Sequence, residues 1–157
     1  MNSTLRSWGW PLAMALSCLI LGGFSGAVSA DGGSGEWYRG LVKTPGTPPS
    51  WLFGPVWSLL YLLMGWAAGL LIVRKAWRAL CPFGLQFVLN LLWSPVFFGL
   101  REPEIALGVI VAMLLLIVRT MVIVHRTCPP VVCLTWPYLG WVAYATWLNA
   151  GIVWLNP

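Results

Sequence analysis

Residues 48–65 read PPSWLFGPVWSLLYLLMG, with three prolines, two tryptophans, one tyrosine and no charge. The first half holds turn formers and large aromatics, and the second half is almost unbroken apolar chain. Proline is tolerated in the first turn of a helix but not in its interior. A helix therefore starts here, with Ser50 placed to cap it. Pro55 lies about one turn in, where its missing N–H frees the carbonyl of Trp51. The apolar run continues to Val73, and about 20 such residues cross a hydrocarbon core. A membrane-spanning helix that begins among tryptophans is the element from which the rest of the chain is read.

Composition agrees with that solvent. The chain has 157 residues, 59% hydrophobic and 8% charged, with mean hydropathy +0.82. A soluble domain carries about 25% charged residues, so lipid surrounds most of this one. Twelve tryptophans fit either interfacial belts or aromatic-walled pockets, and composition does not separate the two. The net charge of +5 is spread thinly over loops, so no nucleic-acid partner is expected. Cys18 and Cys81 lie far apart, and Cys128 and Cys133 flank two prolines rather than forming C-x-x-C. No metal site is expected, and a bridge between Cys128 and Cys133 requires an oxidising compartment.

Five apolar segments stand out, at residues 9–28, 53–73, 79–100, 105–124 and 131–155, each bounded by charges or prolines. The expected fold is an all-α membrane protein, a single five-helix transmembrane bundle with one long first loop at 31–50. Gln86, Asn90 and Pro95 interrupt the third segment. The first has a competing reading. Arg6, an apolar run and AVSA before Asp31 resemble a secretory signal cleaved after Ala30. The length of the run and the Gly22-x-x-x-Gly26 spacing favour a retained helix. Arg6, Arg74, Lys75, Arg78 and Arg126 fall on one side of five spans. Arg39, Lys43 and Arg101 fall on the other, diluted by four carboxylates. The positive-inside rule then places the N-terminus in the cytoplasm. The long loop, with Trp37, Tyr38 and Pro45, Pro48 and Pro49, is stiff enough to act as a lid over one end.

Three helices place aromatic or polar stripes inside the membrane. Trp57, Tyr61, Met64 and Ala68 follow one another at spacings of four, three and four. Gln86, Asn90, Trp93 and Phe97 share a second face, and Tyr138, Trp141, Ala145, Leu148 and Ile152 a third, with Asn149 beside it. Each stripe fits helix packing or a pocket wall, and Asn90 fits an interhelical hydrogen bond or a ligand contact. Gly65-x-x-x-Gly69 is a helix-contact spacing, within the chain or between subunits. Arg119 is close enough to its helix end to carry its charge to the interface. His125 sits at a membrane edge rather than at a haem site. No carboxylate lies within a span, so no proton relay or ion-coupling site is expected. No nucleophile–base pair or phosphate loop is visible. The residues themselves point to an apolar, tryptophan-walled cavity for a flat hydrophobic ligand, with Arg39 or Lys43 in reach of an anionic rim.

WYRGLVKTPGTPPSWLFGPVWSLLYLLMG (37–65), LQFVLNLLWSPVFFG (85–99) and PYLGWVAYATWLNAGIVWLN (137–156) together resemble the signature of the translocator protein family. Its members are also called tryptophan-rich sensory proteins or peripheral benzodiazepine receptors. The resemblance implies five transmembrane helices, a homodimer and no required cofactor. It implies binding of porphyrins such as protoporphyrin IX and haem, of sterols in some members, and of synthetic isoquinoline carboxamide and benzodiazepine ligands. The family's ligand-binding positions fall on Trp51, Phe53, Gly54 and Trp57, on Asn90 and Trp93, and on Trp141, Ala145 and Leu148. Trp57 and Trp141 match the tryptophans implicated in light-dependent porphyrin breakdown by some bacterial members. They are the candidates if the chain has an enzyme-like activity.

Two departures stand out. KTPGTPP has Thr44 where the family carries a proline and Gly46 where it carries an aromatic, and the Tyr-then-basic pattern of sterol-binding members is missing after Ala145. A reversed pattern running Arg78, Phe83, Leu85 fits only loosely. The expected function is a membrane receptor, sensor or carrier for tetrapyrroles. The alternatives are light- and oxygen-dependent porphyrin degradation and a structural scaffold.

Overall fold

The computed structural model describes residues 3–29 and 35–157, with side chains from Trp8 onward. Ala30 and Asp31, on which the cleavage reading turns, lie outside the described residues. The elements are α1 (Ser3–Val28), α2 (Glu36–Gly40), α3 (Phe53–Val73), α4 (Trp77–Ser94), α5 (Pro103–Val124) and α6 (Pro129–Leu155). No strand occurs among the described residues. Four helical stretches are long and apolar enough to cross a membrane, Trp8–Val28, Ser50–Val73, Trp77–Gly99 and Pro103–Val124. The fifth expected span, carried by α6, is not among them. At 27 residues it is the longest helix, but Thr135, Pro137, Tyr138, Tyr144 and Asn149 dilute its apolar character.

α1 packs chiefly on α3, α3 also on α6, α6 on α5, and α5 on α4. The α1–α3 seam explains the second glycine pair. A Cβ on Gly65 would overlap the backbone of Met14 and Ala15, and one on Gly69 that of Trp10 and Pro11. The Gly65-x-x-x-Gly69 face is therefore a contact within the chain, where missing side chains let two backbones approach. Gly22 closes the same seam farther along α1, against the ring of Tyr61. Met64, Leu71, Ile110, Met113 and Ile117 fill the interior, while Leu16, Ile20, Phe24, Leu59 and Leu115 face outward. Exposed tryptophans mark both ends of the bundle: Trp8, Trp10 and Trp77 at one, Trp51 and Trp154 at the other.

Local chemistry sets the helix ends. A single 3-10 turn, Ser50–Leu52, leads into α3, so Leu52 rather than Ser50 occupies the capping position. α3 ends with Lys75 at φ 53°, its N–H on the Ile72 carbonyl at 3.0 Å, and the Ala76 N–H on Leu71 at 2.9 Å. α4 continues beyond Ser94 as a π-helical turn, Pro95–Gly99, in which the Leu100 N–H reaches Pro95 at 2.9 Å. Proline cannot donate to the carbonyl four residues earlier, that of Leu91. Ser25 of α1 takes up that carbonyl at 2.6 Å. One turn on, the hydroxyls of Ser29 and Ser94 pair at 2.8 Å. These two contacts pin α1 to α4 at the end covered by α2.

A tryptophan-walled cavity between α1, α3 and α4

Under α2 the bundle encloses a partly open cavity of about 260 Å³. α3 supplies Phe53, Gly54, Trp57, Ser58 and Tyr61, and α4 supplies Asn90, Trp93 and Ser94. α1 contributes Leu19 and the glycines at 22, 23 and 26, and Tyr38 and Phe98 complete the wall. The aromatic rings are ordered by one another. Trp57 stacks on Tyr61 at 5.6 Å and meets Tyr138 edge-on at 6.5 Å, while Trp93 stacks on Phe97 at 5.2 Å.

A buried polar chain forms the floor. Tyr61 Oη donates to Asn90 Oδ1 at 2.9 Å, Asn90 Nδ2 donates to Tyr138 Oη at 3.1 Å, and Tyr138 Oη donates to Met113 Sδ at 3.2 Å. It joins α3, α4, α6 and α5 at one level of the membrane. Asn149 does similar work nearer the lid, accepting from Trp93 Nε1 at 3.2 Å and donating to the Pro103 carbonyl at 2.8 Å. Both amides thus satisfy helix-to-helix hydrogen bonds, which hydrocarbon would otherwise leave unmade. Among the described residues, two buried polar atoms have no hydrogen-bond partner, Gln86 Oε1 and Trp141 Nε1.

The loop after α2 is tied down on α6. Asn156 brackets Val42, accepting its N–H at 2.9 Å and donating to its carbonyl at 3.0 Å. Thr44 Oγ1 donates to the Leu148 carbonyl at 3.2 Å, with Gly151 making room for it. Tyr144 Oη donates to the Gly46 carbonyl at 2.6 Å. Gly46 has φ 86°, where an aromatic side chain would be strained. Thr44 and Gly46, where the loop departs from the pattern it resembles, are therefore anchoring points of this loop. Over the cavity, Tyr38 meets Phe98 edge-on at 5.5 Å, with Lys43 Nζ 4.9 Å from its ring centre. Burial, then the neighbouring Tyr144, pushes the Tyr38 phenol above its ordinary value of 10.0.

Among the residues singled out in the sequence, Phe53, Gly54, Trp57, Asn90 and Trp93 come together on the cavity wall. Trp51 is 72% exposed and does not line it. Trp141 lies behind Phe53, ring to ring at 5.9 Å, and Ala145 and Leu148 are buried on the same helix, α6, outside the wall. Sequence reasoning missed the α1 wall. The spacing of Gly22 and Gly26 is the one signal for it; that spacing suits packing, which Gly22 makes against Tyr61, whereas Gly26 faces open space.

Comparison with known proteins places this architecture. The model of the TspO/MBR family matches residues 13–155. The tryptophan-rich protein TspO of Chlorobaculum tepidum is 36% identical over 93% of this chain and 96% of its own length. The translocator protein of Bos taurus is 36% identical over 89% of this chain and 87% of its own. The tryptophan-rich sensory protein of Cereibacter sphaeroides is 37% identical over 77% of each. With the match running from α1 to the end of α6 and taking in every wall of the cavity, the chain belongs to the TspO/MBR family.

Proposed function

We propose that this protein is a membrane receptor or sensor that takes a flat tetrapyrrole, such as protoporphyrin IX or haem, into the cavity beneath α2. The observation that carries the reading is the wall itself, where two indoles, Trp57 and Trp93, stand with Phe53 and Tyr61 around an apolar space. Flat conjugated rings stack favourably on such surfaces. The space of about 260 Å³ is just below the ~300–1,000 Å³ of drug-sized pockets. A tetrapyrrole therefore enters in part, or displaces Phe53 and reaches Trp141 behind it. In this reading α6 is the fifth span, since its 27 residues rise about 40 Å. The basic N-terminal end faces the cytoplasm. A homodimer, carried over from the family, uses a face other than Gly65 and Gly69, which are already packed on α1.

The test is titration of the protein in lipid nanodiscs with protoporphyrin IX, following tryptophan quenching. Saturable quenching that weakens in Trp57→Phe and Trp93→Phe supports the reading, and its absence in the wild type overturns it. A second reading is light- and oxygen-dependent breakdown of the bound porphyrin. It is favoured by two separate ring pairs beside the cavity, Trp57–Tyr138 and Phe53–Trp141, because indoles are readily oxidised. Loss of the Soret band under illumination, abolished in Trp141→Phe with binding intact, supports it. Binding without bleaching removes it.

A further inference from the structure

At the opposite end of the bundle, the α3–α4 turn and the end of α5 form a cleft of about 750 Å³ that no step above uses. We propose that this cleft binds the phosphate-bearing headgroup of an anionic membrane lipid. Four cations line it, Arg74, Lys75, Arg78 and Arg119, and all four are exposed. The chain's carboxylic side chains are Asp31, Glu36, Glu102 and Glu104. Among the described residues the acidic side chains are Glu36, Glu102 and Glu104, and by the order of the helices all three belong to the other end. The fold thus gathers like charges from two elements with no acidic side chain on that end, among the described residues, to offset them, and holds Lys75 there at φ 53°. No side chain caps the first turn of α4 in the same cleft, so its uncapped N–H groups add to the positive field. An external anion is what such an arrangement lacks.

The surroundings favour a lipid over a soluble anion. Arg119 stands five residues before Val124, the end of α5, about 7 Å down the helix. Its neighbours Val118 and Val122 are exposed, and exposed Trp77 and Ile123 rim the cleft. A headgroup at the turn with its acyl chain along α5 would use both the charged and the apolar parts. Free phosphate would use only the first. Basic pockets between helices at a membrane surface take acidic headgroups in this manner.

The test is native mass spectrometry of the full-length protein in neutral detergent, titrated with phosphatidylglycerol, phosphatidylcholine or inorganic phosphate. Phosphatidylglycerol is expected to bind at least about tenfold tighter than phosphatidylcholine, and Arg78→Gln/Arg119→Gln to lower that affinity at least about tenfold. Arg78→Lys/Arg119→Lys should retain most of the binding, and Arg101→Gln, at the other end, all of it. Equal retention of the two lipids overturns the proposal. So does an unaffected Gln double variant, or a Lys double variant as weak as the Gln one. Inorganic phosphate binding as tightly as the lipid assigns the cleft to soluble anions and overturns it as well.

Discussion

Ser25 Oγ donates a 2.6 Å hydrogen bond to the carbonyl of Leu91, which Pro95, four residues on, has no N–H to serve. One hydroxyl on α1 thus answers a backbone defect on α4. Ser25→Ala should destabilise the protein by about 1–2 kcal/mol, because a partly buried carbonyl loses its partner. Pro95→Ala supplies an N–H for that carbonyl, so Ser25→Ala should cost less in a Pro95→Ala background. Thermal melts of the four proteins of this cycle in detergent measure the coupling. Strict additivity would show that the two residues do not share the carbonyl.

Asn90 offers a sharper separation of stability from binding. Its bonds to Tyr61 and Tyr138 make it a structural crosspiece before it is a ligand contact. Asn90→Leu should lower the melting temperature of the ligand-free protein. Hydrogen bonds in this setting contribute about 0.6 kcal/mol on average and up to about 1.7. Tyr61→Phe should lower it by less, since Asn90 keeps Tyr138. An Asn90→Leu protein of unchanged stability that loses porphyrin affinity would reverse that assignment.

The helices themselves were plain in the sequence because hydropathy and proline placement report directly on solvent and backbone. The stripes also turned inward, with Tyr61, Met64, Gln86, Asn90 and Tyr138 all buried. Which stripes share a hollow was not legible, because periodicity fixes a face but not its neighbour. Hence α1, an apolar helix with no polar stripe, supplies a cavity wall, while Trp141, on a well-marked stripe, lies one ring behind it. Ser25 and Ser29 gave no periodic signal at all. Their role follows from Pro95 and Ser94, some 65 residues away in sequence. α6 stands apart, since the tryptophans and tyrosines that suit a membrane helix, with Thr135, Pro137 and Asn149, also lower its mean hydropathy.

The seam between α1 and α3 predicts where a larger side chain cannot go. Gly65→Leu would drive into the backbone of Met14 and Ala15, and overpacking costs about 1–3 kcal/mol or more. The expected result is a lower melting temperature and faster proteolysis of α1 in detergent, whatever the oligomeric state. A folded monomer of wild-type stability that has merely lost a dimer contact would place this face between subunits instead.

Tyr38 gives a pH test outside the membrane. Burial holds its phenol above 10.0, so the folded state favours the neutral form. Its contribution to stability is complete below the ordinary phenol value and is lost as pH rises through the raised folded value. The difference in ultraviolet titration between wild type and Tyr38→Phe should show an ionisation shifted to alkaline pH. The variant should lose part of the wild-type alkaline destabilisation. A Tyr38 that titrates as a free phenol would mean that the α2 lid does not seat on Phe97 and Phe98.

The cavity opens toward lipid along the α1–α3 seam. Gly22 on Tyr61 closes that seam, but Gly23 and Gly26 of α1 and Gly54 and Ser58 of α3 are both exposed and part of the wall. A ligand dissolved in the bilayer would therefore enter sideways, near the last two turns of α1, with the α2 loop still clamped by Asn156 and Tyr144. A Cβ at Gly26 meets nothing within 4 Å, so Gly26→Leu should fold normally while narrowing this mouth. Stopped-flow quenching in nanodiscs should show protoporphyrin IX associating about tenfold more slowly, within the one to three decades over which on-rates vary among variants of one site. Gly9→Leu, equally unhindered but at the other end of α1, should leave the rate unchanged. Opening the lid instead, with Asn156→Ala and Thr44→Val, should leave the association rate alone if entry is lateral. A faster rate in that variant and an unchanged one in Gly26→Leu would move the entrance from the seam to the lid.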